Sequence, residues 1–328
     1  MAEEKINSVK KALAAVKENG HALASIPEAL KTKSVCLAAV KQTSWALRHV
    51  PESLKTKDLC LAMLKNDGYA LPSVPQSLQT EDVCRTAVNS CGRALQFVPE
   101  ALKTKDLCLA AVQGSNRWAL CYVPKELHTE HLCYVAVKAH GWALRYVLGE
   151  FLTENVCRTA VEQDGNALKY VPKKLKSAEL CLEAVKRDGM ALKYVPERLK
   201  TESVCIIAVD QRGMALVYLP EKLKTEDVCL TAVRQDGWAL KFVPKALKTE
   251  RLCFEAVEQD SEALKFVPKK IITAELCFEA VRQDSYALKF VPKNLRAKVK
   301  AALKKWQSMS VLQEGGEAEL ETEASNNG

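Results

Sequence analysis

The sequence lacks the segments that membrane and secreted proteins need. No apolar run approaches the length of about 20 residues that spans a bilayer as a helix. The first residues, MAEEKINSVKK, alternate in charge and contain no apolar core, so we expect no secretory signal of the usual kind. Of the 328 residues, 48% are hydrophobic and 27% are charged, which is an ordinary soluble composition. We therefore expect a cytoplasmic protein that has no contact with a membrane.

The sequence also lacks the short motifs that common enzymes use. It contains no P-loop, no dinucleotide-binding glycine fingerprint, no G-x-S-x-G and no H-E-x-x-H. Asp and Glu recur where helices are predicted to begin or end, and solvation or the helix dipole accounts for them there. We therefore predict no catalytic residues, no cofactor and no enzyme activity.

In place of such motifs the sequence contains one repeat in twelve copies. The stretch TEDVCLTAVRQDGWALKFVPKAL at 225–247 represents it, and its cysteine, Cys229, belongs to a series of eleven with a period of 24 residues. One interval, from Cys108 to Cys133, is 25 residues long, and the first copy has Ala12 at this position. A fixed period of this kind indicates stacked units that share one continuous core.

Each copy predicts one α-helix of about ten residues and one or two short helical turns. Thr225 is a good N-cap, and the apolar residues between Val228 and Val233 form one helix face. Gly237 is predicted to end the helix in the left-handed conformation. The segment that begins at Trp238 must end near Pro244, which starts a second short turn.

The predicted fold class is all-α, a right-handed α-solenoid of about twelve 24-residue helix-turn-short-helix repeats. A single repeat solenoid is predicted over 1–308, with an N-terminal cap at about 1–24 and a C-terminal capping helix at about 296–308. The stretch 309–328 contains five glutamates and neither lysine nor arginine, and it cannot bury a core. It is predicted to be an acidic disordered tail.

The eleven repeated cysteines are predicted to be reduced and buried. Equivalent residues in stacked helices lie about 8–10 Å apart, beyond the ~7 Å between α-carbons that a disulfide spans. These thiols should therefore pack as small hydrophobic groups.

One cluster of potential metal ligands falls in the irregular region of the repeat series. Its members are Cys121, His128, His131, Cys133 and His140. They could surround zinc, which takes four nitrogen or sulfur ligands. Because Cys133 belongs to the core series and His131 stands at an otherwise polar position, we favour surface histidines and packed cysteines and predict no metal.

The pattern x-V-C-x-x-A-V-x-Q-D-G-x-A-L-K-F-V resembles the helical repeat of domain-of-unknown-function family 4116. The resemblance covers residues 8 to about 295, and the stretch AVEQDGNAL at 160–168 shows its most characteristic part. A weaker likeness, in repeat length and in alternating α and 3₁₀ segments, is to leucine-rich repeat variants. The family occurs in protists and in bacterial proteins, including effector-like ones of intracellular bacteria. The resemblance implies interaction rather than catalysis, supplies no site residues, and leaves delivery into a host cell open.

Two positions of the repeat form rows of large side chains. The Trp238 row tolerates charge, yet it is rich in the residue types that anchor interfaces, so it is the candidate binding face. Its candidate members are Trp45, Tyr69, Arg93, Trp118, Trp142, Met190, Met214, Trp238 and Tyr286. The Phe242 row is aromatic in most copies and is predicted to belong mostly to the core.

Two further positions are basic in most copies, and both are predicted to be solvated. The candidate members of the Lys241 row are Lys169, Lys193, Lys241, Lys265 and Lys289, and the Lys248 row follows seven residues later in each copy. The first hypothesis is a non-catalytic, monomeric scaffold that binds a protein or peptide along one extended face. The alternative is a nucleic-acid-binding repeat protein in which the rings stack on bases and the lysines track phosphate.

Overall fold

A computed structural model describes residues 7–114 and 118–308, and these residues form helices and turns without any strand. The chain divides into two compact units, Met1–Leu175 and Lys176–Gly328, and each is an all-α repeat array. The predicted disordered tail at 309–328 and the middle of the irregular loop, 115–117, lie outside the described residues.

Each repeat begins with an α-helix, usually of ten residues. In chain order α1 to α12 are Val9–Glu18, Lys33–Gln42, Lys57–Leu64, Glu81–Ser90, Lys105–Gln113, Glu130–Ala139, Glu154–Gln163, Ala178–Arg187, Glu202–Gln211, Glu226–Gln235, Glu250–Gln259 and Ala274–Gln283. A further helix covers 293–308, where a capping helix is predicted from about 296.

Each α-helix is followed by a 3₁₀-helix, and most repeats add a second one of three residues. The first kind comprises Gly20–Ser25, Ser44–His49, Gly68–Ser73, Gly92–Phe97, Ala119–Tyr122, Gly141–Tyr146, Gly165–Tyr170, Gly189–Tyr194, Gly213–Tyr218, Gly237–Phe242, Ser261–Phe266 and Ser285–Phe290. The second kind comprises Glu28–Leu30, Glu52–Leu54, Gln76–Leu78, Glu100–Leu102, Lys125–Leu127, Gly149–Phe151, Lys173–Leu175, Glu197–Leu199, Glu221–Leu223 and Lys245–Leu247. The predicted unit of one α-helix and short helical turns is therefore confirmed.

The helix start and the core follow the predicted pattern. The Thr225 hydroxyl accepts a hydrogen bond from the backbone N–H of Val228 and so caps α10. The face that contains Val228, Cys229, Ala232 and Val233 is buried. Because the same positions are buried in the neighbouring copies, the core is continuous from repeat to repeat within each unit.

The glycine after each α-helix has a different role from the predicted one. No glycine among the described residues has a positive φ, so the prediction of a left-handed Gly237 is wrong. A β-carbon built on Gly237 would lie 2.4 Å from the backbone oxygen of Ala256 in the next repeat. At Gly237 the backbones of two repeats touch, and a side chain would require one of them to shift.

The residues around that glycine join the repeats and orient the Trp238 row. The Asp236 carboxylate accepts a hydrogen bond of 2.9 Å from the backbone N–H of Trp238, which caps the 3₁₀-helix. In α12, the Gln283 side chain donates to the backbone oxygen of Glu258 at the end of the preceding α-helix. Where an aspartate precedes the 3₁₀-helix, as at Asp236, its start is fixed within its own repeat, and Gln283 ties the end of α12 to the repeat before it.

Candidate functional site

The Trp238 row lies at the beginning of the 3₁₀-helices, and its aromatic members are exposed. The exposed fraction is 62% for Trp45 and 36% for Trp238. Arg93 is also exposed, whereas Met190 and Met214 are half-buried. The structure therefore brings the predicted binding face together as one row within each unit.

The Phe242 row is not part of the core, contrary to the prediction. Its described aromatic members are all half-buried: Phe97, Tyr122, Tyr146, Tyr170, Tyr194, Tyr218, Phe242, Phe266 and Phe290. The Trp238 ring packs against Phe266 of the next repeat with centroids 5.6 Å apart, and Trp142 packs against Tyr170 at the same distance. In these two pairs a ring of the preceding repeat covers the Phe242-row side chain.

The Lys241 row lies beside the same rings. The ammonium group of Lys265 lies 3.3 Å from the ring centroid of Trp238, and that of Lys289 lies 3.1 Å from the centroid of Tyr286. These are cation–π contacts, which attract the lysine to the ring face. The Trp238, Phe242 and Lys241 rows therefore form one surface in each unit, named here the aromatic edge.

The Lys248 row is not solvated, contrary to the prediction. The side chain of Lys200 is only 7% exposed, and its Nζ lies 2.6 Å from the Glu197 carboxylate. The same Nζ donates to the backbone oxygen of Tyr218, at the end of the next 3₁₀-helix, over 2.9 Å. Lys103, Lys176, Lys224 and Lys248 donate to the following 3₁₀-helix in the same way. Burial lowers the pKa of the Lys248 ammonium group, and this row serves the structure rather than a ligand.

In the first unit the aromatic edge encloses a pocket of about 150 Å³ that is lined by Trp118, Trp142, Arg145 and Tyr146. The rings of Trp118 and Tyr146 lie 5.9 Å apart at an angle of 55°. The guanidinium carbon of Arg145 lies 5.6 Å from the centroid of Tyr146. Burial raises the pKa of the Tyr146 hydroxyl, so the neutral form is favoured beside the cation.

Sequence reasoning placed Trp118 and Trp142 in one row but missed their partners in this pocket. Tyr146 belongs to the Phe242 row, which was predicted to lie mostly in the core, and Arg145 stands at a position of the Lys241 row, which was predicted to be solvated. The spacing of the two rows could have indicated these partners. In the pairs Trp118–Tyr146, Trp142–Tyr170 and Trp238–Phe266, the second ring follows the first by 28 residues in the sequence.

The structure does not bring together the five histidines and cysteines that were considered as potential metal ligands. His128 and Cys133 are both buried, with Nδ1 and Sγ 3.9 Å apart, whereas His131 and Cys121 are exposed. Burial lowers the pKa of His128. Among the described residues, no three His, Cys, Asp or Glu side chains lie close enough to hold a metal ion.

The eleven repeated cysteines are buried, as predicted. Burial raises the pKa of their thiols, to about 11 for Cys229. They are therefore protonated at neutral pH and poor nucleophiles. In the part of the chain that the structure describes, no helix has both the length and the apolar character to cross a membrane.

A family described as "Domain of unknown function (DUF4116)" matches this chain eight times, in two runs of overlapping segments. The matched residues are 11–55, 32–79, 56–103, 80–128, 178–224, 201–248, 225–272 and 249–296. No curated protein matches the sequence.

Proposed function

The chain belongs to the DUF4116 family of helical repeats, and from that premise we propose that it is a non-catalytic scaffold that binds a protein or peptide along its aromatic edge. The observation that carries the proposal is the aromatic edge itself. In six of the twelve repeats a large ring of the Trp238 row is exposed there, while the interior positions of the same repeats are closed. Repeat arrays commonly bind partners through such a continuous surface.

The packing behind the exposed rings supports this proposal. Tryptophan and tyrosine anchor interfaces because they bury a large apolar area. A ring that already packs against a second ring, as Trp142 does against Tyr170, is held in place before the partner arrives. Binding then costs little additional ordering of side chains.

Nucleic-acid binding is the second candidate, and the lysines of the second unit favour it. The Lys241 row there contains Lys193, Lys241, Lys265 and Lys289. Alternating rings and cations suit a single strand, whose bases stack while its phosphates pair with the cations. In the first unit the row reads Ala24, Arg48, Pro72, Gln96, Cys121, Arg145 and Lys169. This interruption removes the continuous charge that a phosphate backbone needs, so the peptide remains the better candidate.

Selection of random displayed peptides on the full chain tests the proposal. We expect selected peptides, made synthetically, to bind the purified protein in solution. The triple variant Trp118→Ser, Trp142→Ser and Trp238→Ser should weaken their binding at least tenfold, because interface anchors of this kind dominate the binding energy. Trp306→Ser is the matched control, since Trp306 is exposed on the helix 293–308, outside the aromatic edge.

A single-stranded oligonucleotide, titrated at several salt concentrations, separates the two candidates. Binding tighter than that of any selected peptide would favour nucleic acid. In that case replacement of Lys193, Lys241 and Lys265 should lower the logarithmic salt slope by about 0.7 for each lost phosphate contact. Selected peptides whose binding is the same for the triple variant and the wild type would overturn the proposed surface.

A further inference from the structure

Two neighbouring repeats of the first unit supply the pocket described above. Trp118 comes from one repeat, and Trp142, Arg145 and Tyr146 come from the next. Each tryptophan packs against a tyrosine of the following repeat and is partly exposed, by 41% for Trp118 and 38% for Trp142. A cavity of about 150 Å³ can hold one six-membered ring. The pocket therefore has the size for a single aromatic side chain.

The charge of Arg145 decides which ring-sized group fits. Aromatic walls alone attract cations such as methylated ammonium groups. Here a guanidinium lines the same space, so a cationic ligand would be repelled. A guanidinium pairs well with a carboxylate, often through two hydrogen bonds. The favoured ligand thus combines an uncharged ring with a nearby negative charge.

The surroundings favour a peptide as the source of that ligand. The position of Arg145 is occupied by Cys121 one repeat earlier and by Gln96 before that. Arg93, one repeat before Trp118 in the Trp238 row, already stacks on Tyr69 at 5.2 Å. A nucleic acid strand would meet too few cations on this side, whereas one carboxylate of a peptide needs only Arg145.

From these contacts we infer that the pocket takes one aromatic side chain from an acidic segment of a partner protein, with a carboxylate of that segment paired to Arg145. The inference rests on the proposed function and deepens it, since it assigns a recognition preference to one place on the aromatic edge. The ring enters between Trp118 and Trp142 and contacts Tyr146.

Trp45 and Arg48 provide a matched control within the first unit. They occupy the same two repeat positions as Trp142 and Arg145, and the Arg48 guanidinium carbon lies 4.8 Å from the Trp45 ring. The residue that corresponds to Tyr170 is Ser73, so no ring stands behind Trp45 at that position. Changes at Trp45 and Arg48 therefore alter similar surface chemistry without touching the pocket.

Indole N–H signals in ¹H–¹⁵N NMR spectra of the full chain give a direct test, because the chain has five tryptophans. Single Trp→Phe variants assign the signals. The probe is a nine-residue peptide with one phenylalanine between two pairs of aspartates. We expect it to shift the Trp118 and Trp142 signals in a saturable way and to leave Trp45, Trp238 and Trp306 nearly unchanged. A peptide with lysines in place of the aspartates should bind at least tenfold more weakly, as should one with alanine in place of phenylalanine.

Charge reversal at the pocket completes the test. Arg145→Glu should invert the preference between the acidic and basic peptides, and Arg48→Glu should leave it unchanged. Equal binding of both peptides to the wild type, or an unchanged preference in Arg145→Glu, would overturn the inference. An oligonucleotide that shifts the same two signals at lower concentration would overturn it in favour of nucleic acid. If peptides selected from the library bind but shift other tryptophans, the scaffold function stands and only the pocket assignment fails.

Discussion

The residues that join one repeat to the next and the residues of the aromatic edge recur with the same period, but they differ in how much they vary. At the joints, the cysteine is kept in eleven of the twelve copies, the glycine in eight and the Lys248-row lysine in seven. Each of these residues faces a closed core or the backbone of a neighbour. The Trp238 row changes from tryptophan to methionine, arginine and glutamate. The more uniform positions of this chain build the array, and the variable exposed positions give each repeat a different surface.

The two lysine rows show this contrast within one residue type. Lys193 and Lys200 stand seven residues apart in the same repeat. The ammonium group of Lys193 is exposed, 5.9 and 5.8 Å from two tyrosine rings of the aromatic edge. That of Lys200 is enclosed and bound to a carboxylate and a carbonyl. The two lysine rows thus have the same charge and the same period but different roles, since one lies on the exposed surface and the other joins the repeats.

Alkaline pH should produce the largest effect, and it acts on the joints through the buried cysteines. Burial raises the thiol pKa from 9.0 to about 11 for Cys205, Cys229, Cys253 and Cys277 of the second unit. Between these pH values the unfolded chain releases thiol protons that the folded chain retains, so the free energy of unfolding falls as pH rises. Each cysteine contributes at most about 1.4 kcal/mol per pH unit, so the four give at most roughly 5 kcal/mol per pH unit.

Urea unfolding of the full chain at pH 8, 9, 10 and 11 measures this dependence. Cys229→Ala is the informative variant, because Ala12 already occupies the same position in the first copy. It should reduce the slope by at most about 1.4 kcal/mol per pH unit. An identical slope in wild type and variant would show that the thiols are not the groups that titrate.

A methyl group at the glycine contact should have the next largest effect. A β-carbon on Gly141 would lie 2.4 Å from the backbone oxygen of Ala160 and 3.0 Å from the β-carbon of Asp164. Gly141→Ala should therefore lower the free energy of unfolding by about 3 kcal/mol, as overpacking against backbone does.

Gly149, only eight residues later, provides the control for this contact. A β-carbon there would meet nothing within 4 Å, so Gly149→Ala should be neutral or slightly stabilising. Urea unfolding of both variants checks the pair. If both variants lost the same free energy of unfolding, glycine would be needed at Gly141 for its backbone freedom rather than for the contact between repeats.

The contact between the glycine and the next repeat also shows which features could be predicted from the sequence and which could not. Helix starts, core faces and proline stops depend on a few neighbouring residues, so Thr225 and Pro244 could be interpreted correctly from the local pattern. The role of Gly237 depends on Ala256, 19 residues later, and becomes visible only when the repeats are stacked. The pocket depends on Trp118 meeting Tyr146 across a repeat boundary, and the burial of Lys200 depends on a carbonyl of the following repeat. The local sequence pattern was therefore sufficient to predict the structure of one repeat. The surfaces could not be predicted, because they depend on how neighbouring repeats stack.

Replacement of one lysine from each row should separate their roles. Lys200→Met keeps an apolar stem but removes the donor to Tyr218, which leaves a poorly solvated carbonyl and should cost about 2 kcal/mol of stability. Lys193→Met, in the same repeat, should change stability by less than about 0.5 kcal/mol because its ammonium group is exposed. Thermal and urea unfolding measure both variants. A reversed order would mean that the Lys241 row, not the Lys248 row, holds the repeats together.

The smallest effect on stability is expected on the aromatic edge itself, and it should depend on what lies behind each ring. Trp142 packs against Tyr170, so Trp142→Ser should lower the free energy of unfolding by about 1 kcal/mol, in the range of an aromatic pair. Trp45 is 62% exposed and has Ser73 where Trp142 has Tyr170, so Trp45→Ser should cost less than about 0.5 kcal/mol. Urea unfolding compares the two, with circular dichroism to confirm that helicity is retained. If either variant lost 3 kcal/mol or more of its free energy of unfolding, that ring would help to hold the repeats together. The aromatic edge would then stabilise the fold rather than bind a partner.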